Sequence, residues 1–458
     1  MLDHLTEATP LAVPLIPVKR DGLDAWLARK PAATRDWARA NGFKAESGSL
    51  CFLPGPRGGL RGVAVGLDAD DPWGWAALPG KLPPGGVWRI DGRLSRDEAD
   101  WAAFAWMMGT YAYSDHKTGP GRDWPSLVWP AAADRAAVAR LVEATILVRD
   151  LINAPASHMG PEELAAAAQD LAARHAARCR VVVGEALLNE NWPAVHAVGR
   201  ASDRAPRLID LRWGDEQAPR VTLVGKGVCF DSGGLDIKPS SGMKLMKKDM
   251  GGAAHALGLA HMVMAAKLPV RLRVLIPAVE NAVSGRAMRP LDVIGTRKGI
   301  TVEIGNTDAE GRLILCDALA EADGEKPALL LDMATLTGAA RVALGTELPA
   351  LFSNDDKLAE DILRHGRRTR DPLWRLPLWA GYRRQLDSKV ADLSSISDSP
   401  FAGAVTAALF LQDFVSPTTP WAHIDMMAWN GAARPGRPEG GEAMCLRALF
   451  ALIAARHG

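Results

Sequence analysis

Two segments decide how this chain is interpreted: GKGVCFDSGG at residues 225–234 and NTDAEGRL at residues 306–313. Both segments combine glycine with charge, and both follow runs of apolar residues. With two further residues between them, they supply four acids and three bases: Asp231, Asp249, Asp308, Glu310, Lys226, Lys238 and Arg312. Charges placed directly after apolar strands, rather than along a solvated helix face, indicate a functional site.

The sequence around these segments alternates between strands and helices. Strands are predicted at residues 221–225, 270–279, 300–304 and 329–333, and helices at residues 251–268 and 312–322. This alternation is typical of an α/β protein with a mainly parallel central sheet flanked by helices. Ligands of such sheets bind beyond the carboxyl ends of the strands, which is where Lys226, Asp231, Asp308 and Glu310 fall.

The length of 458 residues exceeds what one ordinary core accommodates, so we expect two domains. Residues 1–130 are predicted to form a smaller N-terminal α/β domain, with strands at 11–18 and 62–67 and a helix at 101–108. Residues 131–155 are predicted to form a connecting helix that Asp134 caps. Residues 156–458 then form the C-terminal catalytic domain.

The composition excludes several classes of function. Lys and Arg number 54 against 53 for Asp and Glu, so the net charge of +1 gives no reason to expect nucleic acid or an anionic membrane as partner. The five cysteines form no C-x-x-C pair, which fits a reducing compartment. Neither a basic leader nor an apolar stretch of ~18 residues is present. We therefore expect a cytoplasmic protein without a membrane span.

The acids indicate a site for divalent cations. Four carboxylates at one sheet edge repel one another unless cations neutralise them, and oxygen ligands suit Mn²⁺, Mg²⁺ or Zn²⁺. Asp308 and Glu310 are two residues apart, so an extended backbone would turn both side chains to one side. That geometry suits two metal ions that share a carboxylate. Taken alone, Asp-x-Glu more often marks a solvated loop or a helix cap.

Lys226 lies between two glycines after an apolar strand, where its ammonium would be partly removed from water. Desolvation and nearby cations lower the pKa of a lysine and leave a neutral amine that can bind a metal ion. A lysine paired with a carboxylate is an equal alternative. The residues alone leave the two roles open.

Other candidate residues fit structural roles better. His255 and His261 are predicted to lie on one helix without the four-residue spacing of a metal-binding pair. His423 is predicted to be a hydrogen-bonded core histidine. Ser232 lacks the G-x-S-x-G context of a nucleophile, and Gly225-Lys226-Gly227 lacks the pattern of a phosphate-binding loop.

The chain resembles the leucyl aminopeptidase (cytosol aminopeptidase) family of dinuclear metallopeptidases. Segment 306–313 matches the signature of that family at every position, and segment 224–238 matches its metal-binding block. Further agreement lies in MKKDMGGA at 246–253, ATLTGA at 334–339 and WAHID at 421–425. The resemblance covers roughly residues 145–450, whereas residues 1–130 carry no such motif.

The resemblance implies two divalent metal ions per subunit, Mn²⁺ or Zn²⁺. One ion would be bound by Lys226, Asp231, Asp249 and Glu310. The second ion would be bound by Asp231, Asp308 and Glu310. Each ligand is present at the position that the family motif requires.

The resemblance also implies roles for residues that bind no metal. Lys238 and Arg312 would be the catalytic pair, and Arg312 would hold a bicarbonate ion with the backbone of Gly311 and Leu336. The pocket for the first side chain of the substrate would be apolar, with its walls formed by Met246, Thr335 and Gly338.

The function that follows is a metal-dependent aminopeptidase, which removes an N-terminal residue, preferably apolar such as Leu, from short peptides. Members of the family are typically homohexamers. The alternatives are another two-metal hydrolase, for example of phosphoesters, and a catalytically silent scaffold on the same fold. Leu291 departs from the family, whose members usually carry glycine there, so we expect the local turn to differ.

Overall fold

The computed structural model describes residues 2–55, 58–68, 71, 73–119 and 121–458. The chain forms two compact units. The first unit comprises residues 1–146 and 432–439, and the second comprises residues 147–431 and 440–458. Residues 432–439 belong to the first unit, and the sequence pattern does not predict this.

The described part of the first unit contains a mixed six-stranded sheet. Its strands are β1 (Leu5–Thr6), β2 (Val13–Lys19), β3 (Leu50–Pro54), β4 (Leu60–Leu67), β5 (Val87–Ile90) and β6 (Ser126–Val128), and its helices are α1 (Leu23–Ala28), α2 (Ala32–Ala40) and α3 (Arg96–Thr110), with a 3₁₀ turn at Gly74–Ala77. The strand order is β1-β6-β5-β2-β4-β3, and β3 pairs antiparallel with β4. Helix α3 begins at a capping box, because Ser95 and Glu98 each accept a backbone N–H from the other.

A long helix, α4 (Arg135–Asn153), follows the first sheet. Its predicted cap is observed, since Asp134 Oδ1 accepts the N–H of Ala137 at 3.1 Å. The helix lies inside the predicted connector 131–155. The predicted domain limits, 1–130, 131–155 and 156–458, stay a prediction.

The second unit contains the larger sheet and most of the helices. Its strands are β7 (Arg178–Val183), β8 (Arg207–Trp213), β9 (Arg220–Gly225), β10 (Gly227–Asp231), β11 (Arg271–Asn281), β12 (Val293–Gly295), β13 (Thr301–Glu303), β14 (Leu329–Ala334), β15 (Ala350–Ser353), β16 (Trp374–Arg375), β17 (Leu393–Ser394), β18 (Trp421–Asp425), β19 (Trp429–Asn430) and β20 (Gly440–Gly441). Its helices are α5 (Pro161–Arg174), α6 (Ala186–Asn189), α7 (Pro193–Gly199), α8 (Ser240–Met243), α9 (Gly251–Ala265), α10 (Glu310–Gly324), α11 (Gly338–Leu344), α12 (Asp356–Arg368), α13 (Gly403–Gln412) and α14 (Leu446–His457). Short 3₁₀ helices lie at Ala156–His158, Met246–Met250, Thr307–Ala309 and Ala380–Leu386.

The large sheet has nine strands, ordered β16-β15-β18-β14-β9-β11-β8-β7 with β10 paired to β11. Its centre is parallel, since β18, β14, β9 and β11 run in one direction and β10 runs parallel to β11. The central strands are buried on both faces, as the successive residues Leu223 and Val224 illustrate, since neither has exposed surface. The predicted α/β class with a mainly parallel central sheet is therefore confirmed.

The helices that flank the sheet include α9, which packs against β9 and β14, and α10, which packs against β9 and β11. Helix α9 is buried on every side because it lies in the interior of the second unit. None of the helices in the described residues combines the length and apolar character needed to cross a bilayer.

The strand predicted at residues 300–304 does not belong to the large sheet. It forms β13, which pairs with β12 and β17 in a separate three-stranded sheet. A short apolar run predicts a strand but carries no information about its partner. The nearby Leu291 is 71% exposed and adopts the left-handed backbone conformation, with φ +68°.

Candidate active site

The carboxyl ends of the parallel strands form one edge, and the predicted site residues lie along it. Lys226 connects β9 to β10, and Asp231 is the last residue of β10. Helix α9 approaches this edge closely, because a Cβ added to Gly252 would lie 2.0 Å from the carbonyl oxygen of Met333. The glycine therefore lets the helix start against the strand ends.

Lys226 is buried and pairs with two carboxylates. Its Nζ lies 2.7 Å from Asp249 Oδ2 and 3.1 Å from Glu310 Oε1, and it donates to the carbonyl of Thr335 at 3.0 Å. Burial lowers the pKa of Lys226, but the carboxylates of Asp249 and Glu310 raise it more, so the net pKa lies above its ordinary value. In this state the amine is a charged partner of the acids.

Lys238 pairs with the other two acids. Its Nζ lies 2.8 Å from Asp231 Oδ2 and also contacts Asp308 Oδ1. Burial lowers the pKa of Lys238, and the charge of Asp231 together with hydrogen bonds raises it more, so the net direction is upward. Asp231 is held in place by hydrogen bonds from Gly233 N–H and Asn281 Nδ2, each at 2.9 Å.

The turn after Asp231 requires glycine. Gly233 and Gly234 have φ of +88° and +66°, in the left-handed region that other residues rarely adopt. A Cβ on Gly233 would also lie 2.4 Å from the carbonyl oxygen of Asp236. This turn returns the chain so that Lys238 N–H donates to Ser232 O at 2.9 Å, which places the Lys238 side chain beside Asp231.

Asp308 and Glu310 do not lie on an extended segment, contrary to the expectation from their spacing. Thr307–Ala309 is a 3₁₀ turn that leads directly into α10, and Asn306 caps it by accepting the N–H of Asp308 at 2.7 Å. The two acids still converge, because Glu310 begins α10 beside the turn. The amino end of a helix also stabilises negative charge.

The carboxylate oxygens are placed so that they could bind cations. Oxygens of Asp231, Asp308 and Glu310 lie within 4.8 Å of one another. Both oxygens of Glu310 are buried, and neither accepts a hydrogen bond of good geometry from any described residue. Burial, followed by the charge of Asp231, raises the pKa of Asp308 to about 6 and that of Glu310 well above its ordinary value. A crowded group of acids, in which Glu310 is buried without a hydrogen bond, fits divalent cations.

Arg312 lies on the first turn of α10 and is buried. Its Nη1 donates to the carbonyl of Ser395 at 2.7 Å, and burial lowers its pKa to about 10 against the opposing charge of Glu310. A Cβ on Gly311 would lie 2.5 Å from Lys226 Cε, so a larger residue here would displace the end of the Lys226 side chain. The backbone N–H of Leu336, expected to hold bicarbonate, donates to Asp425 Oδ1 at 2.9 Å.

A cavity of about 310 Å³ opens onto the cluster. The cluster residues that line it include Lys226, Asp231, Lys238, Asp249 and Asp308. The residues expected to form the substrate pocket, Met246, Thr335 and Gly338, line the same cavity. The structure thus brings the expected pocket and the acids together.

Three residues of the site had no role predicted from the sequence: Asn281, Asp425 and Lys248. Asn281 and Asp425 end the strands β11 and β18, so their position at strand ends was a usable signal. Lys248 directly precedes Asp249 in the motif and lines the cavity while buried. Burial lowers its pKa to about 8, although the charge of Asp249 opposes this effect.

The histidines predicted to be structural lie outside the acid cluster. His255 Nδ1 lies 2.6 Å from the carbonyl of Gly251 at the start of α9. His423 is fully buried, and its Nδ1 lies 2.5 Å from Asp332 Oδ1. Ser232 Oγ donates to the carbonyl of Asn281 at 2.7 Å, a contact that orders the turn.

These observations define an α/β protein with a candidate site for divalent cations at the carboxyl ends of its parallel strands. The chain belongs to the cytosol aminopeptidase family, a family of peptidases. The catalytic-domain model of that family matches residues 146–450, and the model described as M17 aminopeptidase, N-terminal domain, matches residues 13–130. The second match places the N-terminal residues in the family, which their sequence motifs alone did not do.

Solved structures show the same fold over the whole chain. The cytosol aminopeptidase from Coxiella burnetii is 49% identical, with a TM-score of 0.96 and full coverage of both chains. The bottromycin maturation enzyme BotP in complex with Mn is 34% identical, with a TM-score of 0.86, and the match covers 97% of this chain and 99% of that one.

A sequence relative is the probable cytosol aminopeptidase of Syntrophotalea carbinolica, which is 46% identical over 311 residues. The match covers 67% of this chain and 62% of that relative.

Proposed function

We propose that this protein is a metal-dependent aminopeptidase that hydrolyses the N-terminal residue from short peptides. The observation that carries the proposal is the convergence of Asp231, Asp308 and Glu310, whose oxygens lie within 4.8 Å of one another. Family membership and the likeness to a cytosol aminopeptidase structure support the same activity.

Two divalent ions, Mn²⁺ or Zn²⁺, would supply an activated water and polarise the scissile carbonyl. The residues that would hold one ion are Lys226, Asp231, Asp249 and Glu310, and those that would hold the other are Asp231, Asp308 and Glu310. A neighbour that was solved in complex with Mn supports manganese as one candidate.

The basic residues have separate tasks in this proposal. Lys238 extends over Asp231 and Asp308 into the cavity, where its ammonium stabilises negative charge that develops on the carbonyl oxygen. Arg312 would hold a bicarbonate ion, which would supply a proton acceptor. The backbone of Gly311 and Leu336 would complete that site, and the Leu336 N–H would then exchange its bond to Asp425 for one to the anion.

The first side chain of the peptide enters the part of the cavity that Met246, Thr335 and Gly338 line. The thioether and the glycine present apolar surface, so an apolar residue such as Leu gains burial there. We therefore propose that leucyl substrates are turned over well.

The cell compartment and the assembly are also proposals. The names of relatives support a cytoplasmic location. The family resemblance supports a homohexamer, and exposed apolar side chains of the second unit, including Val390 and Phe401, offer surface for association. Sedimentation should give about six times the chain mass of 48.9 kDa.

The activity is tested with metal-loaded protein and a panel of aminoacyl p-nitroanilides beside a phosphoester. Turnover of leucyl p-nitroanilide that a chelator abolishes and Mn²⁺ or Zn²⁺ restores would support the aminopeptidase. Turnover of the phosphoester alone would identify a different two-metal hydrolase. No turnover with metal bound would identify a silent scaffold.

A further inference from the structure

Lys248 is a buried lysine that lines the candidate active-site cavity. Only 6% of its surface is exposed, and it lies on the 3₁₀ helix Met246–Met250 beside a residue of the expected substrate pocket. Among the described residues, no carboxylate lies within ion-pair distance of its Nζ and no acceptor hydrogen-bonds to it. A buried charge of this kind is costly unless it is paired.

The acids around Lys248 are engaged elsewhere. Asp249 pairs with Lys226 at 2.7 Å and accepts the hydroxyl of Thr335 at 2.7 Å. Asp425 accepts two backbone N–H groups and the hydroxyl of Thr337, the last at 2.6 Å. The other cation that lines the cavity away from the cluster, Arg341, is exposed. Lys248 therefore lines the cavity, and among the described residues no acid is left to pair with its ammonium.

We propose that Lys248 binds the side-chain carboxylate of an acidic first residue, so that N-terminal Glu and Asp are substrates in addition to apolar residues. This inference rests on the proposed aminopeptidase function. The methylene groups of a glutamyl side chain pack against Met246 and Thr335, as a leucyl side chain does. Its carboxylate then reaches the ammonium, which lies on the same 3₁₀ helix as Met246.

The test compares glutamyl, glutaminyl and leucyl p-nitroanilides with the Mn²⁺-loaded enzyme. These substrates have no C-terminal carboxylate, so an effect of charge reports the first side chain. The variants are Lys248→Met, which keeps the length without the charge, and Lys248→Arg, which keeps the charge. Lys244→Met is the matched control, because Lys244 is exposed on the same segment and does not line the cavity. Circular dichroism checks that each variant is folded.

The wild type should show a higher kcat/KM for the glutamyl than for the glutaminyl substrate. Lys248→Met should lower the glutamyl-to-leucyl ratio of kcat/KM about 10- to 100-fold, the loss expected for a charge-assisted hydrogen bond. Lys248→Arg should retain part of the ratio, and Lys244→Met should retain all of it. An unchanged ratio in Lys248→Met, or no preference of the wild type for Glu over Gln, would overturn the inference.

A binding measurement separates this inference from the proposed activity. If the loaded wild type hydrolyses none of the p-nitroanilides, the aminopeptidase proposal fails. Calorimetric titration with L-glutamate and L-glutamine then decides the role of Lys248. A preference of about tenfold for glutamate that Lys248→Met removes would support the role, and equal affinities would refute it.

Discussion

Replacement of Lys238 should lower the catalytic activity of the protein without unfolding it. Its ammonium is paired with Asp231 at the cavity and is only 14% exposed. Lys238→Ala should lower kcat/KM for leucyl p-nitroanilide by at least about 10²- to 10³-fold, because a preorganised donor to the developing oxyanion is lost. Steady-state kinetics on metal-loaded protein measures this effect. Lys244→Ala is the control, and near-native turnover of Lys238→Ala would exclude the assigned role.

The pair His423 and Asp332 should make stability depend on pH. Burial lowers the pKa of His423, but the Asp332 carboxylate raises it more, so the folded value lies above 6.5. Because the pKa of His423 is higher in the folded than in the unfolded protein, protonation stabilises the fold. This contribution is complete below the unfolded-state pKa of about 6.5 and is lost as the pH rises through the folded-state pKa. Asp332→Asn removes this contribution while keeping an acceptor for the Trp421 Nε1–H, which donates to Asp332 at 2.7 Å.

Urea denaturation of metal-free wild type and Asp332→Asn at pH 6 and pH 9 tests this pair. The difference in unfolding free energy should be larger at pH 6 than at pH 9. A chelator is present at both pH values, so that metal binding does not contribute to the measured stability. The same difference at both values would show that His423 does not change its charge in this range.

At the level of single residues, the sequence predicted the members of the acid cluster but not the residues that form hydrogen bonds around it. Asp231 ends a strand and Glu310 begins a helix, so the chain positions of these two acids indicated the shared edge, whereas Asp249 lies within a 3₁₀ helix. Asn281 and Asp425 act through hydrogen bonds to Asp231 and Leu336. Such contacts join residues distant in sequence, and a single chain offers no pattern from which to pair them. Lys248 is one of two adjacent lysines, and the sequence does not show which of them is buried.

Among the elements, α9, α10 and the central strands were predicted because their apolar runs are long and regular. An extended backbone around Asp308 would have turned both acids to one side, but the segment is a 3₁₀ turn that Asn306 caps. A hydrogen bond from a side chain to its own turn is a local alternative to extended backbone, and spacing alone does not distinguish the two. The 3₁₀ turn changes the geometry of the site but not the residues that form it.

The turn before β12 yields an element-scale prediction. Leu291 has φ +68°, and its N–H donates to Ile304 O at 2.8 Å. Leu291→Gly should raise the free energy of unfolding by up to about 1 kcal/mol, because the relief of left-handed strain exceeds the added entropy of the unfolded chain. Urea denaturation measures the change. Val293→Gly, in the adjacent strand β12, should destabilise the protein instead, and destabilisation by both variants would contradict the argument.

At the scale of the whole molecule, the class of the fold followed from alternation of strands and helices, and the family followed from motifs in the second unit. The first unit was predicted only as a small α/β domain, although the family model for the N-terminal domain matches residues 13–130. Its strands and helices are built from short apolar runs and dispersed tryptophans. Such packing residues identify a core but not a family.

The proposed activity requires that the acids at one sheet edge, together with Lys226, hold two divalent ions. Calorimetric titration of chelator-treated protein with Mn²⁺, checked by elemental analysis, measures this most directly. The wild type should bind two ions per chain and Glu310→Ala fewer, because Glu310 is proposed to bind both ions and its two oxygens are buried without a hydrogen bond among the described residues. Glu360→Ala, a change at an exposed acid of α12, should bind as the wild type does. A wild type that binds no Mn²⁺, or a Glu310→Ala variant that retains two ions with unchanged affinity, would contradict the account.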